Sequence, residues 1–210
     1  METTIIFALL ITAYLIGSVP TAVWWGKRYY GIDVREFGSG NAGATNTFRV
    51  LGRKAGIPVL FIDIIKGTFA VLLAHFSPFI FDSNEFVTLQ LGLGIAALVG
   101  HVFPVFAGFR GGKGVATILG IVICLTPITS LLVLAVFLIV LLATRYVSLS
   151  SMIAGLSFPI FLNIVLENQN QTLLIFSIFV AAMLIVTHKK NIFRLLKRQE
   201  SKVNLFVKKA

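Results

Sequence analysis

Apolar residues run along this chain in long blocks broken by short polar stretches. Blocks near ~20 residues are long enough to cross the hydrocarbon core of a bilayer as helices. The pattern predicts seven spans, at 4–25, 56–77, 87–107, 113–127, 129–144, 149–166 and 171–188. The stretch 114–144 is the ambiguous one. As a single helix it would measure about 45 Å, too long for a ~30 Å core. Pro127 lies near its middle, where a proline breaks a helix most readily. Two short helices or a re-entrant pair are therefore expected there.

Composition changes this picture little. Of 210 residues, 57% are hydrophobic and only 12% charged, with a mean hydropathy of +0.95. A soluble domain carries about twice that charged fraction. The expected fold class is all-α: a polytopic membrane protein of about seven transmembrane helices, with residues 1–210 forming a single integral membrane domain. Ile5–Trp25 has no basic residue before it and exceeds the h-region of a signal peptide, so it is expected to remain as a span. The single cysteine, Cys124, lies in an apolar run, where helix packing is its expected role.

Charge adds orientation. The net charge is +10. With the N-terminus outside, the inner loops hold Lys27, Arg28, Arg35, Arg49, Arg53, Lys54, Arg110, Lys113 and Arg145, and the tail after His188 holds eight more basic residues. Lys66 lies within the second span. The outer loops keep only Asp82, Glu85 and Glu167. This distribution follows the positive-inside rule and places the C-terminus in the cytoplasm. The basic residues sit on membrane loops and on no soluble fold, so nucleic acid is not an expected partner. The part of the tail beyond Glu200 is expected to lie as an interfacial helix on anionic lipid.

Three inner segments carry candidate chemistry. The first, 38–49, reads GSGNAGATNTFR. Its small residues allow backbone N–H groups close to an anion, and its hydroxyl and amide side chains add donors. GSGNAG matches G-x-G-x-x-G formally, but no strand precedes it and no βαβ unit surrounds it, which excludes a dinucleotide site. A plain turn-rich loop is the competing reading. The second, 100–117, reads GHVFPVFAGFRGGKGVAT, with Gly111, Gly112 and Gly114 flanking Lys113 at the start of the fourth span. A lysine at a helix N-terminus makes an anion site. Ala107 and Gly114 exclude a Walker A loop, and His101 reads as a packing residue more readily than as a catalytic one. The third, 188–200, reads HKKNIFRLLKRQE. If the last span continues as a helix, His188 and Asn191 share a face; the competing reading is a snorkelling basic helix end. Asp63 and Lys66, within the second span, are either a functional pair or a mutually neutralising one.

In order and spacing these three segments resemble the motifs of the bacterial acyl-phosphate:glycerol-3-phosphate acyltransferase family. The resemblance covers nearly the whole chain. It implies a helical inner-membrane enzyme with its site on the cytoplasmic face. It also implies glycerol 3-phosphate as acceptor, acyl phosphate as donor, lysophosphatidic acid and phosphate as products, and membrane lipid as surroundings. Carried over by similarity, Ser39, Asn41, Lys113 and His188 are the candidate catalytic residues. The candidate substrate-binding residues are Arg49, Lys113, His188, Asn191, Gly38, Gly40, Gly111 and Gly112. No cofactor and no metal are expected. Arg198 stands where the family often has glycine.

The residues suit two phosphorylated substrates. An acyl phosphate is an activated mixed anhydride, so direct attack by the glycerol hydroxyl needs mainly positioning and charge stabilisation. A covalent mechanism through Ser39 is the alternative. The H-x-x-x-x-D pair of the other large acyltransferase class is absent: the residues five after His75, His101 and His188 are Ile80, Phe106 and Phe193. An organic-phosphate or anion transporter is the rival function, against which the absence of basic residues in the outer loops counts.

Overall fold

A computed structural model describes residues 2–164 and 170–203. Among them every regular element is helical. Glu167 and the tail beyond Val203 lie outside the described residues. The chain groups into two compact units that meet at Thr126–Pro127.

The first unit contains α1 (Glu2–Ser18), α2 (Thr21–Tyr30), a 3₁₀ turn (Val34–Glu36), α3 (Ala44–Leu51), α4 (Arg53–Leu72), α5 (Asn84–Val102) and α6 (Val115–Leu125). The expected first span is not one straight helix. α1 and α2 meet at a 40° bend, because Pro20 cannot donate to the helical ladder and its ring blocks the preceding turn. Two helix pairs approach to backbone contact. Gly17 of α1 and Gly100 of α5 lie so close to the opposing main chain that a Cβ would strike Ala97 O and Tyr14 O, respectively. Gly67 of α4 and Gly120 of α6 stand against Thr117 O and Ile64 O in the same way. Small residues at such crossings are how helices pack where lipid supplies no hydrophobic drive.

The outside of this unit is apolar. Ile57, Phe61, Ile65 and Phe69 recur every four residues along α4 and are all exposed, whereas Asp63, Lys66, Gly67 and Ala70 are buried. Apolar outside and polar inside suits a helix bathed in lipid. Ala13, Ala70, Ala74, Phe86, Leu89, Leu93 and Ala97 form a core where α1, α4 and α5 meet.

The second unit contains α7 (Pro127–Thr144), α8 (Val147–Ile164), α9 (Gln171–Thr187) and α10 (Lys189–Leu196). α7 begins at Pro127, so 114–144 is divided where the proline predicts. Leu131, Leu138, Ile139 and Leu142 of α7 are exposed. α9 and α10 are bent by 59° at His188. Among the described residues, four helices are long and apolar enough to cross a membrane unaided, or six if each bent pair counts as one span. α6, with 11 residues, is the seventh apolar segment and a short one. Of the tail expected to lie on lipid, only residues 201–203 are described, and they are not helical: Val203 N donates to Arg145 O at 2.9 Å, and Lys202 lies over the Tyr146 ring.

Candidate active site

In the first unit, residues 38–43 form a loop and α3 begins at Ala44. Gly38 (φ +61°) and Gly40 (φ +71°) both adopt left-handed backbone, which a Cβ would oppose. The two turns present Ser39 to Asn46, whose Oδ1 accepts from Ser39 N at 2.9 Å and from Ser39 Oγ at 3.1 Å. Asn46 Nδ2 in turn donates to Val34 O and Phe37 O at 2.8 and 3.1 Å. One buried amide thus fixes the serine. Arg49 follows one turn later on α3 with an exposed head, and its aliphatic stem passes Gly38. Asn41 is not drawn into this pairing; its side chain turns toward Gly43.

The segment before α6 is pinned at both ends. Gly111 N and Gly112 N donate to Val102 O and His101 O at 3.2 and 3.1 Å, folding the glycine-rich turn back over the end of α5. Half-buried Lys113 follows directly, and Gly114 starts α6. Having no side chain, Gly114 leaves the first N–H groups of α6 uncapped by itself, facing the same way as the positive end of the helix dipole. Arg35 clamps the other end, donating through Nη1 to Ala107 O at 2.7 Å and Arg110 O at 3.2 Å. Its Nε and Nη2 grip Asp33 at 3.0 and 2.8 Å. Hydrogen bonding to Arg35 holds the Asp33 carboxyl well below its usual range and outweighs the opposing effect of burial. Arg35 therefore joins the turn that precedes Ser39 to the turn that precedes Lys113.

In the second unit the helix bends at His188, and His188 and Asn191 still stay one turn apart, with Asn191 N donating to His188 O at 2.8 Å. His188 Nδ1 lies 2.7 Å from Leu184 O. A carbonyl only accepts, so Nδ1 carries a proton, and in the neutral tautomer this leaves Nε2 as the acceptor nitrogen. Asn191 Nδ2 donates to Glu200 Oε1, which also accepts from Ser148 Oγ, while Arg194 Nε donates to Glu200 Oε2. Burial alone would raise the Glu200 carboxyl, but hydrogen bonds from Arg194, Asn191 and Ser148 bring it below its usual value. Among the described residues, no three His, Cys, Asp or Glu side chains are grouped to hold a metal ion.

A family profile described as glycerol-3-phosphate acyltransferase matches residues 7–198. The chain belongs to the glycerol-3-phosphate acyltransferase family. Curated relatives of that name include one from Bacillus cytotoxicus, 46% identical over 98% of both chains. Another, from Chlorobaculum parvum, is 44% identical over 93% of this chain and 95% of its own. Two crystal structures of PlsY, an integral membrane glycerol 3-phosphate acyltransferase, are similar to it at 39% identity. The glycerol 3-phosphate form superposes with TM-score 0.83, covering 95% of this chain and 96% of that one. The lysophosphatidic acid form gives 0.82, covering 95% of each. This acyltransferase is thus a multi-pass membrane enzyme of lysophosphatidic acid formation, and the resemblance seen in its three polar segments is borne out.

Several residues that build the acyltransferase's polar segments escaped the sequence reading of the site. Asn46 stood inside the first segment without a role. Glu200 was the one acid in a basic tail, a signal that was present. Arg35 gave none, because its acceptors are backbone carbonyls.

Proposed function

We propose that the chain takes its acyl group from acyl phosphate and works at the cytoplasmic face of the inner membrane as a single acyltransferase domain. The unbroken family match through both units supports the last point. The glycerol 3-phosphate hydroxyl attacks the acyl carbonyl, a C–O bond forms, and the bond from that carbon to the phosphate oxygen breaks. Inorganic phosphate leaves, and the hydroxyl proton ends on it. The observation that carries this reading is Lys113, set by a glycine-rich turn at the start of α6. An ammonium there neutralises phosphate, and Arg49 supplies a second cation with planar donors. Ser39, Asn41 and the backbone at Gly38, Gly40, Gly111 and Gly112 are assigned to substrate orientation and oxyanion contact. His188 and Asn191 are assigned to glycerol 3-phosphate, with Nε2 of His188 able to pass the hydroxyl proton to phosphate.

The assay is purified protein in lipid with acyl phosphate, acyl-CoA or acyl-carrier protein as donor. Acyl phosphate alone should support turnover; efficient use of acyl-CoA would refute the donor assignment. Lys113→Ala should lower kcat/KM at least about tenfold, the equivalent of ~1.4 kcal/mol of charge-assisted contact. Lys113→Arg should recover only part of it. Lys202→Ala, a cation resting on Tyr146, should change turnover little.

A further inference from the structure

We infer that His101 is a positioning residue for Lys113, forming the seat on which the glycine-rich turn carries that lysine. The inference rests on Lys113 as the phosphate-holding group. His101 is 5% exposed, at the inner end of α5. Its carbonyl receives Gly112 N at 3.1 Å. Its ring points the Nε2 edge at Gly112, so that a Cβ on that residue would strike Nε2. Gly112, the residue immediately before Lys113, is therefore bonded by the main chain and abutted by the imidazole of one residue.

The seat has its own footing. Behind the ring lies a buried polar group in which Lys66 Nζ contacts Asp63 Oδ1 at 2.9 Å and donates to Val19 O at 3.0 Å. Thr21 Oγ1 donates to the same Asp63 oxygen at 3.0 Å. His101 Nδ1 faces that oxygen from 3.9 Å and has no hydrogen-bond partner among the described residues. A lone polar atom buried beside an ion pair is unfavourable in a merely packing residue, since an apolar ring would fill the space without that penalty. The imidazole spans the gap between the Asp63 carboxylate, 3.9 Å from its Nδ1 edge, and Gly112 at its Nε2 edge. The chain of contact runs from the α1–α2 bend through α4 and α5 to the turn before α6. Placement of a reacting group is sensitive to small shifts, about 1 Å being enough to cost up to about a hundredfold in rate.

A double-mutant cycle separates positioning from a general structural role. His101→Ala, Lys113→Ala and the double variant are compared for kcat, KM of each substrate and melting temperature. His101→Gln carries the same cycle if the alanine variant does not fold. In the wild-type background loss of His101 should lower kcat/KM between about tenfold and a hundredfold. In the Lys113→Ala background it should lower it less than about threefold, because the group it positions is gone. Equal fold-losses in both backgrounds, or no loss with either His101 variant, would overturn the inference while leaving the Lys113 assignment intact. An unaffected Lys113→Ala would overturn the phosphate assignment first, and this inference with it.

Discussion

Arg198 shows how one residue records a backbone demand. It has φ +57° and ends α10 in a Schellman arrangement, with Gln199 N donating to Arg194 O and Arg198 N to Leu195 O. The glycine that the resemblance implies at this position would meet that geometry without the Cβ penalty. Arg198→Gly should raise stability by about 0.5–1 kcal/mol once the larger unfolded-state entropy of glycine is set against the relieved strain. A melting temperature unchanged or lowered in detergent would contradict this. Asn46 illustrates the opposite, a side chain that its surroundings cannot replace. Asn46→Ala leaves the Val34 and Phe37 carbonyls without that donor and Ser39 without its acceptor. We expect kcat/KM to fall at least about tenfold, and Ser39→Ala in the same background to add little.

Between elements, Arg35 does what no local interaction does. It spans from the 3₁₀ turn to carbonyls 72 and 75 residues further along. Lysine keeps the charge but not the fork. Arg35→Lys should therefore lower melting temperature and reduce kcat/KM about tenfold through both loops. Asp33 supplies a pH signature. Its folded carboxyl is held below its unfolded value, so its stabilisation is complete above about pH 4 and fades as pH falls toward the folded value. The gap in melting temperature between wild type and Arg35→Lys should be widest near neutral pH and narrow below about pH 4. A gap that widens in acid would rule out the Asp33 contact as its source.

For the whole molecule, the prediction is orientation. The basic loops belong inside and the acidic loop with Asp82 and Glu85 outside. In a Cys124→Ala background, Asn84→Cys should react with an impermeant thiol reagent in intact cells. Lys54→Cys should react only after the membrane is opened. Both positions are exposed, so silence from either reports sidedness and not burial. Labelling of Lys54→Cys from outside would invert the topology and with it the cytoplasmic site.

By itself the sequence determined the helical membrane character, the approximate ends of the apolar segments, the division at Pro127 and the three polar segments. Each of these is a local property: bilayer thickness sets the length of an apolar run, proline interrupts a ladder wherever it sits, and loop residues declare themselves by type. Tertiary structure decided the rest. Pro20 lay inside the span expected over 4–25, and only packing shows Val19 O turned toward Lys66 and Thr21 toward Asp63. Asp63 and Lys66 announced a buried pair, not the His101 ring beside it. Arg35 and Asn46 act on backbone carbonyls, and every residue has one. A carbonyl leaves no trace in residue identity, so which of them a distant side chain reaches is fixed only when the helices come together.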